Sequence, residues 1–192
     1  MRGAAKFYAV VTNDFNPGKP EYMRYTTEDR TNKLLQATCA LPALFPYIYL
    51  NDTPYLDGGL SDSIPYERAF ADGCDRVVVV LTRQKGYKKK TGATTKALAH
   101  AFWKYPELGK DLLSRADCYN RSLKKLEQLE KEKKVIVIRP DNTDGFSRLE
   151  KDKEKIKPYT MTATQRVCYS PIKWKNFTPN KSFNTPKYSR TL

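Results

Sequence analysis

The strongest constraint on the fold is a pair of short β-branched runs, Val77-Val78-Val79-Val80-Leu81 and Val135-Ile136-Val137-Ile138, separated by a long helical pattern. A continuous apolar run of this length, bounded by charged or turn residues, suits a strand covered on both faces in a parallel sheet. Between the runs, Leu108, Leu112, Leu113, Ala116, Tyr119, Leu123, Leu126 and Leu129 recur at helical spacing, which predicts one helix from Pro106 to about Lys134. Glu127 with Lys131, and Glu130 with Lys134, are expected as pairs four apart on its solvated side. Strands alternating with helices in this way predict an α/β fold with a mainly parallel sheet.

The first third of the chain reads as shorter elements. Lys6 to Thr12 is a buried-type strand, and Glu21 to Thr26 is a more exposed one after the turn Asn16-Pro17-Gly18-Lys19-Pro20. Asp29 or Thr31 is placed to cap a short helix carrying Leu34, Leu35 and Thr38, which Pro42 and Pro46 interrupt. Tyr47 to Leu50 and Thr53 to Leu56 form two short strands about an Asn51-Asp52 turn. Pro65 opens a helix that Gly73 closes. Residues 83–96 turn basic and Gly/Thr-rich, as an exposed loop does, and Ser147 is a cap for a charged helix running to about Lys157. After Pro158 the acids vanish and periodicity is lost, so 161–192 is expected to be a poorly ordered basic tail.

Net charge is +14 over 192 residues, which directs attention to anionic partners. Six basic residues fall in 161–192 and many others sit beside Glu or Asp on helical segments, so no nucleic-acid partner is expected and an anionic lipid surface is preferred. No apolar run approaches membrane-spanning length, and the N-terminus is too short and polar for a secretory signal. The expected location is cytoplasmic, with peripheral contact at a membrane. Cys39, Cys74, Cys118 and Cys168 are scattered with no C-x-x-C, which reads as free thiols rather than a zinc site; Cys39 in particular is expected to be buried.

The chemistry concentrates in Tyr55-Leu56-Asp57-Gly58-Gly59-Leu60. A carboxylate at a strand end, beside glycines that permit a tight turn, is a good mount for a general base. An ordinary Asx turn would use the same residues. With Cys39-Ala40-Leu41-Pro42-Ala43-Leu44-Phe45-Pro46 before it and Asp62-Ser63-Ile64-Pro65 and Gly73-Cys74-Asp75 after it, the block resembles the C-terminal catalytic part of the patatin-like phospholipases, which are serine acyl hydrolases. The resemblance runs from about Phe7 to about Tyr159.

That resemblance implies a three-layer α/β/α fold, an acyl lipid or phospholipid substrate, no metal or other cofactor, and a Ser–Asp dyad in which Asp57 is the base while Gly58 and Gly59 shape its loop. The family's Ser sits on a G-x-S-x-G elbow, and no such motif occurs in this sequence. Gly59-Leu60-Ser61-Asp62-Ser63 and Gly145-Phe146-Ser147-Arg148-Leu149 each lack the second glycine. Ser61 would also occupy the base's own loop, and Asp62 reads as a turn or helix-entry residue. The single histidine, His100, lies on a helix-like run far from any acid signature.

The chain is therefore expected to be a C-terminal portion of such an enzyme, inactive by itself, with 1–85 as catalytic-domain remnant, 86–160 as an accessory region packed on it, and 161–192 as tail. The alternative is a non-catalytic basic module for anionic lipid or RNA, with Lys88-Lys89-Lys90 as one contact point.

Overall fold

A computed structural model describes residues 5–13, 19–103, 105–143, 145, 151–154 and 156. The expected turn at 16–18, the Ser147 cap and the basic tail lie outside the described residues.

Four strands form one sheet: β1 (Tyr8–Asn13), β2 (Pro20–Arg24), β3 (Ile48–Leu50) and β4 (Thr53–Asp57), in the order β2-β1-β4-β3. Every pairing in it is antiparallel, with Val11 opposite Asp57 and Thr12 opposite Leu56. The short helix α1 (Lys33–Thr38) packs on this sheet, burying Leu34 and Ala37 against Ala9, Val11 and Tyr55. Its start is held by Asp29, whose carboxylate accepts from the backbone N–H groups of Lys33 (3.0 Å) and Leu34 (2.9 Å). These are amides that a first helical turn leaves without partners. Asn51 and Asp52, with φ of 48° and 61°, make the two-residue turn of the β3–β4 hairpin. Both residue types tolerate left-handed backbone, which matches the twist of paired strands.

Helix α2 (Tyr66–Ala71) follows, and ends as the sequence predicts. Gly73 has φ 91°, its N–H reaches Phe70 O at 3.0 Å, and the next N–H, of Cys74, reaches Ala69 O at 3.0 Å. That is a Schellman ending, which needs the left-handed residue glycine supplies. Then come β5 (Val77–Val80), α3 (Ala93–Ala101), the 26-residue α4 (Pro106–Lys131) and β6 (Val135–Ile138), with β5 and β6 paired in parallel. Val79, Leu81, Val135 and Val137 meet Ile64, Tyr66 and Leu126 in one core. A second core joins Leu56 and Leu60 to Leu108 and Leu112 of α4, so the first sheet and the long helix share apolar contacts.

Two expectations are corrected. The protein is α/β, but among the described residues only β5–β6 is parallel. Parallel pairing needs a crossover of about a dozen residues or more. The Asn51-Asp52 turn offers none, whereas α3 and α4 supply one between β5 and β6. The valine run is also covered on one face only. Val79 is buried, while Val78 and Val80 are 37% and 66% exposed.

Two smaller readings change as well, while His100 sits on a helix surface, as its helix-like run implies. Cys39 is exposed, because the buried positions at the end of α1 go to Ala37 and Ala40. Glu130 is bound by Arg139 (2.5 Å) rather than Lys134, which pairs with Glu132 at 2.9 Å.

Candidate active site

Asp57 is the last residue of β4, and its position is fixed from three sides. Its N–H donates to Ala40 O (2.9 Å), and its carbonyl accepts from the Thr12 hydroxyl of β1 (2.9 Å). Its Oδ1 accepts from Gly59 N–H at 2.6 Å, the closure of an Asx turn. Among the described residues Oδ2 has no hydrogen-bond partner. The carboxylate therefore has one oxygen committed to its own loop and the other available, and it is only partly buried.

The two glycines after it are closely approached, each by different neighbours. A Cβ on Gly58 would lie 2.1 Å from Val10 O and 2.3 Å from Val10 C, so the chain passes β1 where only hydrogen fits. A Cβ on Gly59 would come within 3.0 Å of Asp57 Oδ1 and 3.1 Å of a terminal nitrogen of Arg115. The carboxylate and the guanidinium thus flank one backbone position. Gly59 O accepts from Arg115 Nε (2.6 Å) and from Ser63 Oγ (2.7 Å). Residues 58–60 make a single 3-10 turn, from which Leu60 drops into the core.

The neighbouring polar groups are occupied. Thr12 spends its one hydroxyl hydrogen on the Asp57 carbonyl, so Ser61 is the donor in the 2.9 Å contact between the two hydroxyls. The Ser61 hydroxyl lies between Thr12 and Gly58 O, and among the described residues no serine hydroxyl bonds to the Asp57 carboxylate. Asp62 accepts from Ile64 N–H (3.1 Å) at the entry to α2, and its other oxygen accepts from the Tyr22 hydroxyl (2.7 Å). Burial first, and the hydrogen bond to Asp62 second, hold the Tyr22 phenol well above its usual range. Tyr55 donates to Glu21 at 2.9 Å, and burial with that carboxylate pushes its phenol up to about 12.

Arg115 also lines a cleft of about 560 Å³, walled by Leu41, Leu44, Leu98 and Leu112 and carrying Lys89. Its walls come from the residues before β3, from the basic loop, and from α3 and α4. Thr12, Arg115 and Asn120 were not singled out by the sequence. Nothing in the local motif marks them, because each acts on backbone atoms remote in sequence. No group of His, Cys, Asp or Glu that would hold a metal ion occurs among the described residues.

Residues 5–70 match the family model for patatin-like phospholipase, and residues 105–159 match a domain of unknown function, DUF6363. No curated protein matches the chain. The first match agrees with what the motifs imply, and it includes Asp57, Gly58 and Gly59. The second match begins at the start of α4.

Proposed function

We propose that this protein provides the acid half of a serine lipid acyl hydrolase, with Asp57 as the general base for cleavage of carboxylic esters in phospholipids or related acyl lipids. The observation that carries the reading is the carboxylate itself: it ends a strand of the patatin-like segment, one oxygen is held by the Gly59 amide, and the other is available. A carboxylate with a reference pKa near ~3.9 is a weak base at neutral pH. It works only in direct contact with the hydroxyl it serves, while other groups carry the transition-state charge. Asp57 is rigidly mounted enough for that demand.

Since the sequence holds no G-x-S-x-G, the nucleophile in this reading comes from a segment outside these residues. The antiparallel sheet and its α1 layer would then flank a larger three-layer α/β/α fold. Residues 1–85 form the catalytic part, 86–160 the accessory part, and 161–192 a tail.

The substrate reading is supported by the cleft, whose apolar walls suit an acyl chain and whose Lys89 and Lys90 suit an anionic headgroup. Leu44, on the cleft wall, and Phe45, next to it in sequence, are 65% and 55% exposed. Exposed apolar side chains beside lysines favour peripheral contact with an anionic membrane. Among the described residues, no helix is long and apolar enough to cross one.

A short-chain nitrophenyl ester assay tests the reading. The isolated chain should show no turnover. Co-expression with a strand, glycine-rich loop and G-x-S-x-G elbow from a patatin-like phospholipase should produce it. A folded complex without turnover would overturn the proposal.

A further inference from the structure

Helix α4 does more than cover the core. It enters the candidate site at Arg115, whose Nε donates to Gly59 O at 2.6 Å across 56 residues of sequence. The Gly59 residue is thus gripped at both ends: its N–H holds the Asp57 carboxylate and its carbonyl is held by a guanidinium. A hydrogen bond with a charged donor is stronger than a neutral one, and the planar guanidinium fixes direction as well as distance. With no side chain on Gly59, Arg115 has room to lie this close to it.

Just beyond it, the same helix grips a second loop. Asn120 donates through Nδ2 to Lys89 O (2.9 Å) and accepts through Oδ1 from Lys89 N–H (2.9 Å), a two-point hold on one backbone residue. Tyr119 carries the Lys89 ammonium 4.7 Å from its ring centre and meets Tyr87 edge-on at 6.2 Å. Both grips border the cleft, since Lys89 and Arg115 line it. The rod that carries the grips is itself fixed, since Leu108 and Leu112 pack on Leu56 and Leu60, the apolar residues on either side of the Asp57 turn.

We infer that the α4 segment, the region matching a domain of unknown function, acts as a clamp on the catalytic loop, with Arg115 as a positioning residue for Asp57 and Asn120 as the corresponding hold on the cleft's basic loop. Arg115 touches no reacting atom. It fixes the peptide that fixes the carboxylate. The mechanistic part of this inference rests on Asp57 being the base, whereas the clamp itself stands on the geometry alone.

The test is amide hydrogen exchange in the full chain, with thermal unfolding measured alongside. Arg115→Ala should raise exchange at Gly59 and its neighbours in the 57–63 loop by about tenfold or more, with β6 amides unchanged. Arg115→Lys, which keeps charge but not the planar fork, should restore little of the protection. Lys125→Ala, which removes the exposed pair between α4 and Glu67, should leave the loop unaffected. Unchanged exchange at Gly59 in Arg115→Ala, or a rise shared equally by β6, would overturn the clamp.

The second readout is esterase activity in the complex with the serine segment. Arg115→Ala should lower kcat with KM nearly constant, and added guanidinium at millimolar concentration should restore part of the loss. A change in KM alone would make Arg115 a substrate contact instead. If the wild-type complex has no activity, the hydrolase reading fails, and Gly59 exchange still decides the clamp.

Discussion

Gly58 passes so close to Val10 that a methyl group there would sit 2.1 Å from the Val10 carbonyl oxygen. The contact is with backbone, which cannot rotate aside, and Val10 lies in the middle of β1, where it pairs with Tyr22. The glycine is therefore what lets β4 turn sharply into the Asp57 loop. Gly58→Ala should destabilise the protein at the upper end of the overpacking range, about 3 kcal/mol or more. Thermal or urea unfolding checks this. A loss below about 1 kcal/mol would mean that β1 and the loop are farther apart in solution.

The core around β5 and β6 depends on α4. Leu126 is 1% exposed and packs with Ile64, Tyr66, Val79, Val135 and Val137. Leu126→Ala should cost about 2–5 kcal/mol. Leu113, on the outer side of the same helix and 44% exposed, should tolerate the same change with little effect. Urea unfolding of the two variants separates the predicted inner and outer faces.

Acid should weaken the start of α1. The backbone hydrogen bonds of Leu34 and Lys33 hold the Asp29 carboxyl below its ordinary value of 3.8. A depressed folded pKa contributes stability above the unfolded value and loses it as pH falls through the folded value. Asp29→Ala should therefore lower the unfolding midpoint by a few degrees at neutral pH. The gap to wild type should persist down to about pH 4 and close below it. A gap that stays constant through that range would show that the charge of Asp29 is not what holds the helix end.

Much of the local structure was legible in the sequence. Turn chemistry placed the Asn51-Asp52 hairpin, Gly73 ended α2 as expected, and the leucine spacing of α4 located the helix to within a few residues of its C-terminus. The parallel pairing of the two β-branched runs was legible, but the antiparallel direction of the first sheet was not. Val77 to Leu81 reads as a strand buried on both sides, but coverage is a tertiary property, and the face carrying Val78 and Val80 is largely open.

The site divides in the same way. Asp57, Gly58 and Gly59 could be chosen because their types and order imply a strand end and a tight turn. Thr12, Arg115 and Asn120 could not, since each acts on a backbone carbonyl or amide tens of residues away. A side chain's use for a distant backbone group leaves no local periodicity or motif to read. The expected pair of Glu130 with Lys134 failed for a related reason: Arg139, from beyond β6, competes for Glu130.

The most direct test of Asp57 as the base is kcat for ester hydrolysis in the complex with the serine-bearing segment, measured for Asp57→Asn and Asp62→Asn against wild type. Asparagine at 57 can still accept from the Gly59 amide, so the loop should keep its shape while the proton acceptor is lost. Loss of a positioned base should lower kcat roughly 10²- to 10⁴-fold. Asp62→Asn should retain most activity, because Asp62 serves Ile64 N–H and the Tyr22 hydroxyl. Wild-type kcat in Asp57→Asn, with activity lost in Asp62→Asn, would contradict the assignment.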